Sequence, residues 1–378
     1  MTDKVAIREL SQLLSPSGRK LLCAKGSDLV QEIGLEIVRD VVLDILAGHN
    51  LRDSTEPLTR RRIAALNLGM VSLFLKGSSL SGNFVTDLPE FAHKILLRKR
   101  VQKTERWLAQ WMLGLTDKAF QNVLRDDPAL LERYREEYIR TCEEVICAHV
   151  KEVGELRGEL ELSDNVKAQI NWLWLTYLLN AIGSQTLAIR GSEKSTYGKL
   201  FEKLVLGSLL HILGFNHMRR VPQQVTLHGK KLTGVFWLSS KGERRQSDAT
   251  LLYELGKGVR FDIGFIGRGN PEISLDKVTR FEHEISFGGS KYYMATIILV
   301  DRIGEKSSIE ELAKRVGGEI IQMSASYWPK KVAQVLHQSL GFKHPILDMD
   351  EGQIQAFLRA QIARVPLEEF VAPSSEEG

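Results

Sequence analysis

The chain has 378 residues, 43% hydrophobic and 26% charged, which fits a folded soluble protein and excludes a disordered or fibrous one. Its formal charge of +4 permits nucleic-acid binding without demanding it, since what counts is where the basic side chains lie. An odd set of three cysteines excludes a dense disulfide scaffold and points to a reducing compartment. The length suggests two domains. The N-terminus MTDKVAIREL carries acids and helical periodicity rather than a secretion signal. No apolar run is expected to span a bilayer, so the expected setting is cytoplasmic with no membrane partner.

From about Lys4 to Leu187 the apolar residues recur at three and four spacings, which predicts helix almost throughout. Leu29, Ile33, Ile37, Val41 and Ile45 form one stripe, ending at Gly48-His49-Asn50. Breaks are expected at Ser15-Pro16-Ser17-Gly18, at Glu56-Pro57 and from Ser78 to Pro89, with Asp53-Ser54-Thr55 as a cap before Pro57. A helix from Ile170 to Ile182, with Trp172 and Trp174, closes this half. Cys142, Cys147 and His149 lie close together, but their spacing does not match a zinc site and no second ligand pair follows, so buried helix cysteines are expected. Two basic clusters, Arg60-Arg61-Arg62 and Lys94 to Arg106 (with Arg98, Lys99, Arg100 and Lys103), suit either phosphate contact or a solvated helix face.

After Arg190-Gly191-Ser192 the period changes. The run Tyr197 to Leu213 is apolar nearly all round and predicts a buried helix. On it Glu202 shares a face with Val205, Leu206, Leu209 and Leu213, where a carboxylate needs a partner or an exposed helix start. Extended runs follow at Val225–Leu227, Gly234–Leu238, Ala249–Leu255 and Val259–Ile266, the last two joined by the turn Gly256-Lys257-Gly258. A helix from Pro271 to Ile285 opens with Asn270 as cap. Strand Ala295–Val300, helix Ser308–Val316, strand Glu319–Met323 and helix Tyr327–Leu340 complete the domain, and the tail after Val365 reads as frayed.

The stretch Ser247 to Lys277, SDATLLYELGKGVRFDIGFIGRGNPEISLDK, places acids where a purely structural sheet avoids them. Asp248 opens one strand, and Asp262 lies between Phe261 and Ile263 in the next. With the order helix, meander, helix, strand, helix, strand, helix, the chain from about Thr196 to Gly341 resembles the nuclease core of PD-(D/E)XK restriction endonucleases. The wording FDIGFIGRGNPEISLDKVTRFE is similar to the CfrBI type among them, which cuts a CCWWGG sequence. The resemblance implies an α/β (α+β) fold, a mixed sheet flanked by helices and preceded by an all-helical N-terminal domain. It implies domains at 1–190 (dimerisation or DNA clasp), 191–345 (catalytic) and 346–378 (C-terminal helix and tail). The implied function is that of a prokaryotic type II restriction endonuclease, hydrolysing phosphodiester bonds in double-stranded DNA with Mg²⁺. A symmetric homodimer without a nucleotide cofactor is expected, since matching half-sites mirror a two-fold axis.

The implied metal ligands are Asp262, Asp248 and Glu202. Hard oxygen donors suit Mg²⁺, which makes a bound water nucleophilic and relieves charge on the scissile phosphate. Position 248 is preceded by Ser247 rather than proline, and Gly264 stands where the family places its lysine. Lys277 on the following helix is the expected substitute, with Glu272 a further catalytic candidate. Flat pairing about a three-residue turn leaves Asp248 and Asp262 about four residues out of line, roughly 13 Å, so a bulge or bend must bring them together. Otherwise Asp262 pairs with Glu272, Asp276 or the Glu282-His283-Glu284 group. Arg244, Arg245, Arg268 and Arg280 are the expected DNA contacts. Three other readings stay open: a nuclease fold that binds DNA without cutting, a repair nuclease, and a dinucleotide-binding enzyme. The last is disfavoured because GFIGRGNPE lacks G-x-G-x-x-G spacing and Asp262 repels pyrophosphate.

Overall fold

The computed structural model describes residues 9–24, 27–121, 127–162, 166–219, 226–227, 230–231, 233–239, 247–254, 256–265, 293–301 and 318–372. Contacts divide the chain into two compact units, Met1–Ala24 with Thr59–Glu193, and Lys25–Leu58 with Lys194–Gly378. The helices in chain order are α1 (Pro16–Cys23), α2 (Ser27–Ile33), α3 (Leu35–Leu46), α4 (Leu51–Leu80), α5 (Phe84–Leu96) and α6 (Lys103–Met112). A short turn α7 (Asp117–Ala119), α8 (Pro128–Val153), a hairpin of β1 (Gly158–Leu162) and β2 (Val166–Ile170), and α9 (Trp172–Ile212) follow.

The first unit is helical because its apolar positions converge on one core. Leu73, Phe74, Leu88, Leu108, Trp111, Met112 and Trp174 are all buried in it. The Phe74 ring meets Phe84 and Trp174 edge-on at centroid distances of 6.1 and 5.6 Å, the arrangement aromatic quadrupoles favour. Glu105 ties the N-terminus to this core: its carboxylate accepts hydrogen bonds from the Leu10 and Ser11 amides at 2.9 and 2.7 Å.

Several expected breaks are corrected. Helix α4 runs through Pro57, with Asn50 as its capping residue (Asp53 N to Oδ1, 2.9 Å), so Asp53-Ser54-Thr55 lies inside the helix. A break does fall within Ser78 to Pro89, but it is confined to residues 81–83, and α5 contains Pro89. Helix α9 is continuous over 41 residues, about 60 Å at the usual rise, where two helices and a break at Arg190–Ser192 are expected. The Ser192 hydroxyl donates to the Ile189 carbonyl (2.9 Å), which satisfies it without leaving the helix. Conversely, the stripe from Leu29 to Ile45 is not one helix: Gly34, at φ 109°, separates α2 from α3. Helix α4 also corrects the membrane expectation, being long and apolar enough to cross a bilayer by length and composition. Its Leu66, Met70, Leu73, Phe74 and Leu75 are instead core residues of the first unit.

The second unit carries a six-stranded mixed sheet, in spatial order β10-β9-β8-β7-β6-β3. Its strands are β3 (Asn216–His217), β6 (Val235–Leu238), β7 (Ala249–Glu254), β8 (Lys257–Gly264), β9 (Tyr293–Val300) and β10 (Gly318–Gln322); β4 (Thr226–Leu227) and β5 (Lys230–Lys231) pair separately. The β6-β7-β8 meander is antiparallel, whereas β9 joins β8 and β10 joins β9 in parallel. Ile297 to Val300 are all buried, as a strand covered on both faces requires. Helix α10 (Trp328–Leu340) packs on β9 and β10, α11 (Glu351–Ile362) on α3, and α12 (Leu367–Val371) on α2. The Trp328 indole donates to the Ile45 carbonyl at 3.0 Å, so α3 belongs to the sheet unit although it lies early in the chain. The expected helices at 271–285 and 308–316 lie outside the described residues.

Candidate active site

The site grows from the β7–β8 hairpin. Their ladder pairs Ala249 with Phe261, Thr250 with Arg260 and Leu251 with Val259, then Leu252 with Gly258 and Glu254 with Lys257. Lys257 and Gly258 are therefore strand residues and not loop. The turn tightens around Gly256 at φ 79°, and an irregularity between Leu252 and Glu254 takes up the odd residue. One step outward from Ala249 and Phe261, Asp248 comes across from Asp262. The expected four-residue offset is absent.

Alternation then sorts the hairpin into two faces. Ala249, Leu251, Val259, Phe261 and Ile263 are at most 1% exposed and form the apolar face. Asp248, Thr250, Arg260 and Asp262 share the other. Asp248 Oδ2 accepts a hydrogen bond from the Ile263 amide at 2.9 Å, which holds the first acid against the second strand beside Asp262. The Asp248 carbonyl accepts from Ser239 N at 3.1 Å, and the Ser247 and Thr250 hydroxyls are 3.2 Å apart. Asp262 itself is 9% exposed. Two carboxylates facing each other across adjacent strands repel, and a cation bound to both relieves that repulsion.

The donor set suits a hard ion. Mg²⁺ takes one or two carboxylates and completes its octahedron with waters and phosphate oxygens. Among the described residues no group of three or more His, Cys, Asp or Glu side chains gathers into a closed metal cage. Glu202 lies half-buried on α9, while Val205, Leu206 and Leu209 on the same helix, and Leu213 just past its end, are buried. Cys142 is buried and Cys147 exposed, which corrects the expectation of two buried thiols. Burial pushes the Cys142 thiol up, with Asn180 donating to its sulfur at 3.7 Å, so it behaves as a packed thiol and not a ligand. Lys277, Glu272, Asp276, the Glu282-His283-Glu284 group, Arg244, Arg245, Arg268 and Arg280 lie outside the described residues.

Arg260 is the residue that sequence reading passes over. Same-face spacing puts it one alternate position from Asp262 and directly across from Thr250. The signal was its offset of two from Asp262, mirror to the empty position at Gly264. Of the first basic cluster, one member is not a solvated charge. Arg60 and Arg61 are exposed, but Arg62 is 8% exposed and donates to the Leu21 carbonyl at 3.5 Å.

A family model described as CfrBI restriction endonuclease matches residues 35–308. The chain is similar to the type II restriction enzyme CfrBI of Citrobacter freundii, with 36% identity over 347 residues, covering 91% of this chain and 94% of that relative. No solved structure matches the chain.

Proposed function

The chain belongs to the CfrBI restriction endonuclease family, and on that premise we propose that Asp248 and Asp262 are the carboxylates of its DNA-cleaving centre. As a type II restriction endonuclease it hydrolyses phosphodiester bonds in double-stranded DNA at a specific sequence. The single observation that supports this assignment is the hairpin register that brings Asp248 across from Asp262 on the polar face.

When bound there, Mg²⁺ supplies a nucleophilic water near neutral pH and neutralises charge on the scissile phosphate. The chain's own residues do the rest. Asp262 and Asp248 would hold the ion, and the Ile263 amide fixes the Asp248 carboxylate in place. Glu202, on α9, would order the water shell of that ion. The rigid strands β7 and β8 keep both acids pre-organised, so little reorganisation is needed as charge develops. Lys277 stands in for the lysine missing at Gly264, Glu272 is a further catalytic candidate from the same stretch of sequence, and Arg244, Arg245, Arg268 and Arg280 contact DNA. The enzyme acts in the bacterial cytoplasm as a homodimer and without a nucleotide cofactor, its two-fold axis matched to a palindromic site.

Digestion of a sequenced plasmid tests this reading. Discrete fragments with Mg²⁺ and none with EDTA are expected, and mapping their ends gives the recognition sequence and shows whether it is the CCWWGG of the CfrBI type. Smearing without fixed ends would favour a non-specific repair nuclease, and binding without cutting a catalytically inactive nuclease fold.

A further inference from the structure

The first unit contains a feature that the cleavage centre does not use. A cavity of about 700 Å³ opens between the end of α5, the start of α6 and the start of α8, and Arg98, Lys99, Arg100 and Arg106 line it. Its size suits a sugar–phosphate segment. Arg98, Lys99 and Arg100 are exposed and carry no ion pair among the described residues. Two described acids of this region are committed elsewhere. Glu105 turns inward to the Leu10 and Ser11 amides, and Asp127, the one carboxylate among the described residues lining the cavity, caps α8 through the Ala129 amide at 2.9 Å. Arg106 lies over the Phe120 ring at 5.1 Å, which fixes the guanidinium plane and leaves its N–H edge available.

Cations crowded around one cavity repel each other, and a polyanion removes that repulsion while releasing its own counterions. We propose that this cavity binds the phosphate backbone of the DNA substrate, making the helical unit a second, sequence-independent DNA contact. The proposal rests on the DNA-cleaving function above, but its test does not depend on cutting. Arginine suits it because the planar fork matches phosphate oxygens.

Binding of a fluorescent 30-base-pair duplex is measured in EDTA across a salt series, for the full-length wild type and for R98Q/K99Q/R100Q. Each lost phosphate contact lowers the slope of log K against log salt by about 0.9, so the triple variant should lose roughly two to three from the slope. Its affinity at 0.1 M salt should fall about tenfold or more. R98K/R100K keeps the charge and should keep the slope. Lys94→Gln, whose ammonium Glu90 already holds at 3.2 Å, should leave it unchanged. A triple variant that binds with wild-type affinity and slope overturns the proposal. So does an equal loss in the lysine variant or in Lys94→Gln, the first showing a structural role and the second a general charge effect. If the wild type binds duplex but never cuts, the cleavage reading fails and this one stands.

Discussion

A carboxylate between Phe261 and Ile263 has to meet a partner, because burying it unpaired costs several kcal/mol. That much is legible in the sequence, and Asp262 sits at 9% exposure as the reasoning requires. The position of Asp248 is less legible. Counting Lys257 and Gly258 into the turn misplaces it by four residues, and the pairing of Leu252 with Gly258 beyond the irregularity restores it. Loop length fixes hairpin register, and a glycine-flanked lysine reads equally well as turn or strand. Asp248→Asn keeps an oxygen for the Ile263 amide but loses the charge, so its Mg²⁺ requirement for cutting should rise about tenfold or more while duplex binding in EDTA persists. Unchanged metal dependence would remove Asp248 from the centre. For the missing lysine, Lys277→Ala and Lys277→Arg are compared by single-turnover rate. We expect a loss of about 100-fold for alanine with partial rescue by arginine. Wild-type cutting by Lys277→Ala would redirect the search to Arg260. Glu105 belongs to the same scale. Glu105→Ala leaves the Leu10 amide, now bonded at 2.9 Å, without its acceptor, and should destabilise the first unit by about 2 kcal/mol, read as a lower Tm.

At the scale of elements, the sheet is the part the sequence predicts well. The strands at 235–238, 249–254, 293–300 and 318–322 fall where β-rich runs lie between turn signals. The helices are located well but divided badly. Pro57, Pro89 and Arg190-Gly191-Ser192 look like stops, and packing of the surrounding apolar faces overrides each local preference. The β1–β2 hairpin is missed because its residues pass for helix, although Glu159, Glu161, Lys167 and Gln169 alternate with apolar positions across it. Gly48 shows how tightly one junction is built. It sits at φ 97°, and a Cβ there would lie 2.9 Å from the Ala325 carbonyl carbon and the Ser326 nitrogen. Gly48→Ala should therefore cost about 2 kcal/mol, by combining positive-φ strain with overpacking. A thermal melt indistinguishable from wild type would refute that account of the α3–α10 junction.

For the whole molecule, the two compact units do not follow a single cut in the chain. Residues 25–58 join the sheet unit, held by Trp328 on Ile45 and by Arg39 on the Val365 carbonyl at 3.1 Å. Composition and periodicity cannot show this, since α2 and α3 are as helical as their neighbours. Burial lowers the proton affinity of His211, His217 and His344 in that unit, although Glu369 opposes it at the first two. The unfolded chain therefore binds more protons as pH falls through about 6.5, so stability declines on acidification. A Tm lower at pH 5.5 than at pH 7.5 is expected, and no change would show that these histidines titrate alike folded and unfolded. Plasmid cleavage by wild type and Asp262→Ala at saturating Mg²⁺ tests the role of the acid pair most directly. Wild type should give discrete fragments with fixed ends. Asp262→Ala should still bind the plasmid but cut it roughly three orders of magnitude more slowly, the several kcal/mol of metal-borne charge stabilisation being lost. Discrete fragments from Asp262→Ala at the wild-type rate would contradict the assignment.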